Sequence, residues 1–256
     1  MTWEKKTITI VTKAYPEKSR RHGSVACTAG ITTDGEWIRL YPIDMRHFVG
    51  KNKISKFDII EVECKKDKDK LGRKESYKVR PESIKILDKS LTKPKVDWKR
   101  RNDIVLPMLS ESIESLQQSY EENKTSLGLI KPVELLEFIK TDQLQIYEHD
   151  GWSYTTNLDG IRIPQVIKIP HIFKYRFTCQ GCKEQEHNMQ CEDWELFESY
   201  RRWGSRYRKP ESLWEKLKDK FFDKMIAEKD LYFIMGMYSQ YPTWFIVGLY
   251  YPPKNK

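Results

Sequence analysis

The chain has 256 residues, enough to bury a substantial core as one large domain or two small ones. Lysine and arginine total 46 against 37 aspartate and glutamate, and the resulting formal charge of +9 favours an anionic partner. No stretch approaches the roughly 20 apolar residues that cross a bilayer, and the start MTWEKKTITIVTK lacks the apolar run of a signal peptide, so a soluble, cytoplasmic protein with no membrane partner is expected.

Residues 7–12 form a β-branched run, followed by a basic loop over 13–23 that carries Lys18, Arg20, Arg21 and His22. Strands over 24–31 and 36–41 flank Asp34-Gly35, a turn pair suited to an antiparallel hairpin. In the second of these strands Trp37, Arg39 and Tyr41 alternate with Ile38 and Leu40. Period two therefore gathers an arginine between two aromatics on one sheet face, which suits a base or another planar anion as well as an ordinary cross-strand stack. Residues 57–65 make a further strand with Ile60, Val62 and Cys64 on one face and Glu61, Glu63 and Lys65 on the other. With Asp58 upstream, these polar residues suggest an alternative reading as a metal-dependent nuclease, in which carboxylates hold a hard cation and lysine orders water. A polar outer face on an antiparallel strand explains the same pattern without chemistry. Two short strands around Pro81 complete a β-rich, barrel-like or sandwich domain over 1–88. Small basic barrels often bind oligonucleotides, although fold alone does not establish function.

Residues 89–108, with Lys99, Arg100 and Arg101, read as a basic linker to an α+β domain over 109–256. Leu109, Ile113, Leu116 and Tyr120 mark an amphipathic helix, residues 133–139 suit helix or strand, and a hairpin is expected around His149-Asp150-Gly151. Strands over 165–169 and 172–178 then lead into Cys179-x2-Cys182-x4-His187-x3-Cys191. Zinc takes a tetrahedral set of thiolates and imidazoles from such close pairs, and Gly181 suits the tight turn between the first two. The spacing resembles a zinc knuckle, whose usual pattern differs by one residue before the last cysteine, and leaves open whether Cys191 or Asp193 closes the site. Four ligands imply a structural zinc, whereas three plus water permit hydrolysis.

A helix follows, with Leu196, Phe197, Tyr200 and Trp203 as its core face and Gly204 as its stop. Arg201, Arg202, Arg206, Arg208 and Lys209, interleaved with Tyr207, can clamp phosphates while aromatics stack on bases, or simply form a solvated surface. A second helix opens at Pro210 with Leu213, Leu217, Phe221 and Met225 at four-residue steps, and a hairpin over 231–251 closes the chain.

Cys27-Thr-Ala-Gly-Ile with residues 35–42, and the block 171–203 containing Asp193-Trp-Glu-Leu, resemble stretches found together in uncharacterised bacterial proteins. That resemblance implies one functional unit and assigns no activity. The resulting expectation is a nucleic-acid-binding protein with a structural zinc, reading single-stranded, flipped or modified bases. Its alternatives are a metal-dependent nuclease or hydrolase, and a protein-binding subunit of a nucleic-acid-processing or defence complex.

Overall fold

The computed structural model describes residues 2–19, 23–50, 53–68, 71–93, 98–142, 154–156, 162–164, 169–183, 186–207, 209–238 and 241–254. The protein is α+β and β-rich, and it divides into two compact units, residues 1–108 with 147–168 and residues 109–146 with 169–256. Among the described residues no helix is long and apolar enough to cross a membrane.

The first unit opens with β1 (Glu4–Lys13), a short β2 (Glu17–Ser19), β3 (Gly23–Thr32) and β4 (Trp37–Asp44). The turn between β3 and β4 is the expected one, with Gly35 at φ 78° and its N–H donating to the Thr32 carbonyl. After a 3-10 turn over Met45–Phe48 come β5 (Ile59–Lys66), β6 (Ser76–Val79) and β7 (Lys85–Asp88). β1 pairs with β3 through one edge and with β5 through the other, so the order β1-β3-β4-β6-β5 closes on itself as a five-stranded barrel. β4 and β6 run parallel, and β7 extends the edge of β5 beside β6. Ile8, Ile10, Ile38, Leu40, Ile60, Val62 and Cys64 fill the interior at 1% exposure or less. Closure is tight where β3 passes β1, since a Cβ on Gly30 would lie 2.7 Å from the Thr9 carbonyl oxygen.

The segment expected as a linker, 89–108, carries a 3-10 turn over Ser90–Thr92 and helix α1 (Trp98–Val105), and it is part of the first unit. Its Arg101 stacks between Phe57 and Trp98, at 4.4 and 4.6 Å from the ring centres.

The second unit begins with α2 (Ile113–Asn123), which starts later than Leu109 because Ser112 and Ser115 form a reciprocal capping box, each hydroxyl accepting the other's N–H at 3.0 Å. β8 (Leu127–Ile130) and β9 (Pro132–Asp142) follow, so the ambiguous residues 133–139 are strand. The chain then contributes a ribbon, β10 (Tyr154–Thr156) and β11 (Arg162–Pro164), to the first unit, where it lies against β3 and the 3-10 turn after β4. The expected hairpin centred on residues 149–151 lies outside the described residues; residues 154–156 pair with 162–164.

Back in the second unit are β12 (His171–Cys179), β13 (His187–Cys191), α3 (Trp194–Gly204), α4 (Pro210–Lys218), α5 (Lys224–Glu228), β14 (Tyr232–Met237) and β15 (Trp244–Tyr250). The sheet order is β8-β14-β15-β13-β12-β9, antiparallel except between β13 and β15. Gly248 stands beside a register shift in the terminal hairpin, and Gly236 gives room to the Val247 side chain.

The stripe Leu213, Leu217, Phe221, Met225 is buried as expected, but not on one straight α-helix. A strict four-residue step drifts around an α-helix of 3.6 residues per turn. A π turn over Asp219–Asp223, where Lys224 N–H donates to the Asp219 carbonyl, widens the helix and accommodates that drift. The fully buried Tyr175 hydroxyl donates to the Phe221 carbonyl in this turn at 2.7 Å.

Tyr175→Phe should therefore leave a buried carbonyl without its partner and lower stability by about 1–3 kcal/mol. The check is a lower urea midpoint at unchanged m value. Gly30→Ala should cost a similar ~1–3 kcal/mol by overpacking the barrel seam, whereas an unchanged thermal midpoint would show that β1 and β3 yield freely there.

Candidate functional site

The best-defined convergence of reactive side chains lies at the tip of the β12–β13 hairpin. β12 keeps a regular alternation that puts Phe173, Tyr175, Phe177 and Cys179 on one face, while the register shifts against β9 fall on the β9 side. Phe177 stands opposite His187, the first residue of β13, with ring centres 5.4 Å apart. Cys179 is two residues beyond that pair, so it projects on the same face past the imidazole. Gly181, at φ 74°, turns the chain back and brings Cys182 to Cys179, with Cα atoms 6.1 Å apart and sulfurs in disulfide contact. His187 Nε2 lies 3.1 Å from Cys179 Sγ, and the three ligand atoms are all within 4.8 Å of one another. Such a set can close as a disulfide or, reduced, hold a metal ion. Lys183 N–H donates to Glu114 Oε1 at 2.6 Å, which ties the tip to the first turn of α2.

Cys191 is not brought to this group. The sequence spacing suits a turn, but residues 187–191 are an extended strand, and four residues at about 3.3 Å each carry Cys191 ~13 Å from His187. It is fully buried opposite Phe173. Asp193 does not complete the group either: it caps α3, with Oδ1 accepting Leu196 N–H at 3.1 Å and Oδ2 accepting Leu249 N–H at 2.9 Å.

On the barrel, Ile38 and Leu40 point inward, and Trp37, Arg39 and Tyr41 share the outer face of β4 as alternation requires. Their exposure differs. Tyr41 is 41% exposed and Trp37 half-buried, but Arg39 is only 3% exposed, with Nη1 donating to Cys27 Sγ at 3.2 Å.

The C-terminal basic residues are also unequal. Arg201 makes a two-pronged ion pair with Glu198, at 3.0 and 2.7 Å, and Arg202 reaches the same carboxylate at 3.3 Å. Arg206 and Lys209 are exposed and Tyr207 is half-buried, while Arg208 lies outside the described residues.

The residues of the nuclease alternative do not converge. Asp58 is fully buried, accepting Ser55 N–H at 2.8 Å and facing Lys89 Nζ at 3.5 Å. On the outer face of β5, Glu61 pairs with Lys5 at 3.8 Å and Glu63 with Arg80 at 2.7 Å. Lys65 sits over the Trp3 ring at 4.9 Å. The Cys179, Cys182, His187 set is the one group of metal-capable side chains among the described residues.

Sequence reasoning missed two cation–aromatic stacks, because barrel closure rather than local spacing assembles them. Trp3 is flanked by Lys65 and by Arg80, the latter at 4.3 Å, and Tyr77 by Lys6 at 5.5 Å and Lys66 at 4.8 Å. Burial pushes the Cys64 thiol up to about 11, despite the neighbouring Lys6, which marks it as a core thiol rather than a nucleophile. A cavity of about 460 Å³ near the β7 end is lined by His47, Ile54, Ile86 and Lys89 among others, and burial holds the His47 imidazole below its ordinary 6.5.

Residues 4–107 match the family model described as Domain of unknown function (DUF8758), and residues 109–256 match that described as Domain of unknown function (DUF8757). No curated protein matches the chain. The second match covers more than half of the chain, which belongs to the DUF8757 family and carries a DUF8758 domain before it.

Proposed function

We propose that the N-terminal barrel binds single-stranded nucleic acid across the outer face of β4, with Tyr41 and Trp37 as stacking platforms. The observation that carries this reading is the pair of accessible aromatics on a central strand of a closed five-stranded barrel. Five-stranded Greek-key barrels of the oligonucleotide-binding kind use this part of the sheet, and base–aromatic stacking tolerates any sequence because every base has a π face. Arg39, being buried, serves to hold the face rather than to grip phosphate. The net charge of +9, with Lys65 over Trp3 and Lys66 over Tyr77, supports an anionic ligand.

Zinc is the metal we infer for the Cys179, Cys182, His187 set. Two thiolates and an imidazole are the donors that this ion favours, and a third donor converging on the sulfurs is more than a disulfide requires. Its role is structural, joining the end of β12 to the start of β13.

Fluorescence anisotropy with labelled single-stranded DNA and RNA 12-mers tests the barrel reading. Log affinity should fall linearly with log salt, and Tyr41→Ala should weaken binding about tenfold or more, with Trp37→Ala acting similarly. Absence of binding at low salt, or affinity indifferent to both substitutions, would exclude this face. For the metal, elemental mass spectrometry should find one zinc per chain in protein purified without added metal, and none in Cys182→Ser.

A further inference from the structure

We infer that Cys179 and Cys182 form a redox switch on the metal, holding it as thiolates and releasing it when a low-molecular-weight disulfide from outside the chain oxidises them to a Cys179–Cys182 disulfide. This rests on the zinc reading above and concerns the regulation of that same site. It holds whichever further group completes the metal's shell.

Both states fit one backbone. The Cα atoms are 6.1 Å apart, inside the range that a disulfide accepts, and the sulfurs are in disulfide contact. A tetrahedral zinc with Zn–S bonds of about 2.3 Å needs the sulfurs ~3.8 Å apart. Side-chain rotation covers that difference, since the ligand atoms of all three residues lie within 4.8 Å of one another. The two states are nevertheless exclusive. The thiolate is the metal ligand, and a sulfur bonded to a second sulfur no longer carries the charge that holds zinc.

Reagents can reach this pair. Both cysteines are half-buried at a tip whose Gln180, Gly181 and Lys183 are exposed, whereas Cys64 and Cys191 are sealed in the core at 0% exposure. One protein thiolate attacks a sulfur of the external disulfide, which forms a mixed disulfide with the chain and expels one small thiolate. The second protein thiolate, held beside the first by the turn at Gly181, attacks the protein sulfur of that intermediate and expels the other. Two electrons pass from the cysteine pair to the external disulfide, which leaves as two thiolates, and the zinc is set free as the divalent cation. The closing step is intramolecular and so outpaces attack by a further external thiol.

The structural consequence falls on His187. The metal ties three residues across the hairpin, including the first of β13, whereas the disulfide joins only Cys179 and Cys182. The imidazole is then left as a non-covalent neighbour of Cys179 Sγ, at 3.1 Å, and the cross-link to β13 is gone.

The test uses the full chain, reduced with a phosphine, loaded with one equivalent of zinc and freed of reductant. Incubation with excess glutathione disulfide, followed by desalting, should lower zinc from one per chain to near none by elemental mass spectrometry. Trypsin cuts after Arg176 and Lys183, so both cysteines leave in one peptide, residues 177–183, which should be lighter by two hydrogens and closed to alkylation. Phosphine with fresh zinc should restore both readings. Cys27→Ser, which removes the other half-buried thiol, should change neither, and the peptide assignment is made on the unaltered chain should that variant fold poorly. Zinc retained with both thiols still open to alkylation, or zinc lost with the oxidation on other cysteines, would overturn the switch and leave the metal reading standing. A reduced chain that takes up no zinc would overturn the metal reading, and the switch with it.

Discussion

In an extended strand each residue advances the chain by about 3.3 Å and turns its side chain to the opposite face. That geometry governs the candidate sites that lie on strands. It gathers Trp37, Arg39 and Tyr41 on the outside of the barrel, and it brings Cys179 past Phe177 to meet His187. It also separates residues that look adjacent in the sequence: Glu61, Glu63 and Lys65 each find a different partner along β5, and Cys191 is carried to the far end of β13. Spacing in sequence becomes proximity only where a turn intervenes, as Gly181 does between the two cysteines.

This is also why the fold was more legible than the sites. Asp34-Gly35 announces its hairpin through the one backbone conformation it favours, and the inward alternation of Ile60, Val62 and Cys64 follows directly from apolar period two. The run 213–225 identified its buried face, although not the π turn that keeps the face aligned. Residues 133–139 stayed ambiguous because β9 is an edge strand whose apolar residues are partly exposed and interrupted by bulges, so neither period dominates. Trp3 had no local signal at all. Its cationic neighbours Lys65 and Arg80 are more than sixty residues away and arrive only when the barrel closes.

Composition was least informative about where charge acts. The surplus of 46 basic over 37 acidic residues belongs to the whole chain, yet the two arginines most suggestive of a phosphate clamp, Arg201 and Arg202, converge on one glutamate. A basic residue next to an aromatic in sequence is thus a weaker guide than one stacked on an aromatic in space. The Trp3 and Tyr77 stacks belong to the second kind, while Arg39 is buried in the sheet surface.

The path of the chain gives the first unit an unusual composition. Residues 147–168 return to it after the second unit has begun, so the backbone passes between the units at three places rather than one. The segment recognised by the first family model stops at residue 107 and omits the β10–β11 ribbon that lies on β3. The stretch that evolution repeats as a sequence and the body that packs as a solid are therefore different objects. Tethering at three points also means that neither body can be excised by a single cut. The first unit cannot gain its β10–β11 ribbon until well over half of the polypeptide has been made.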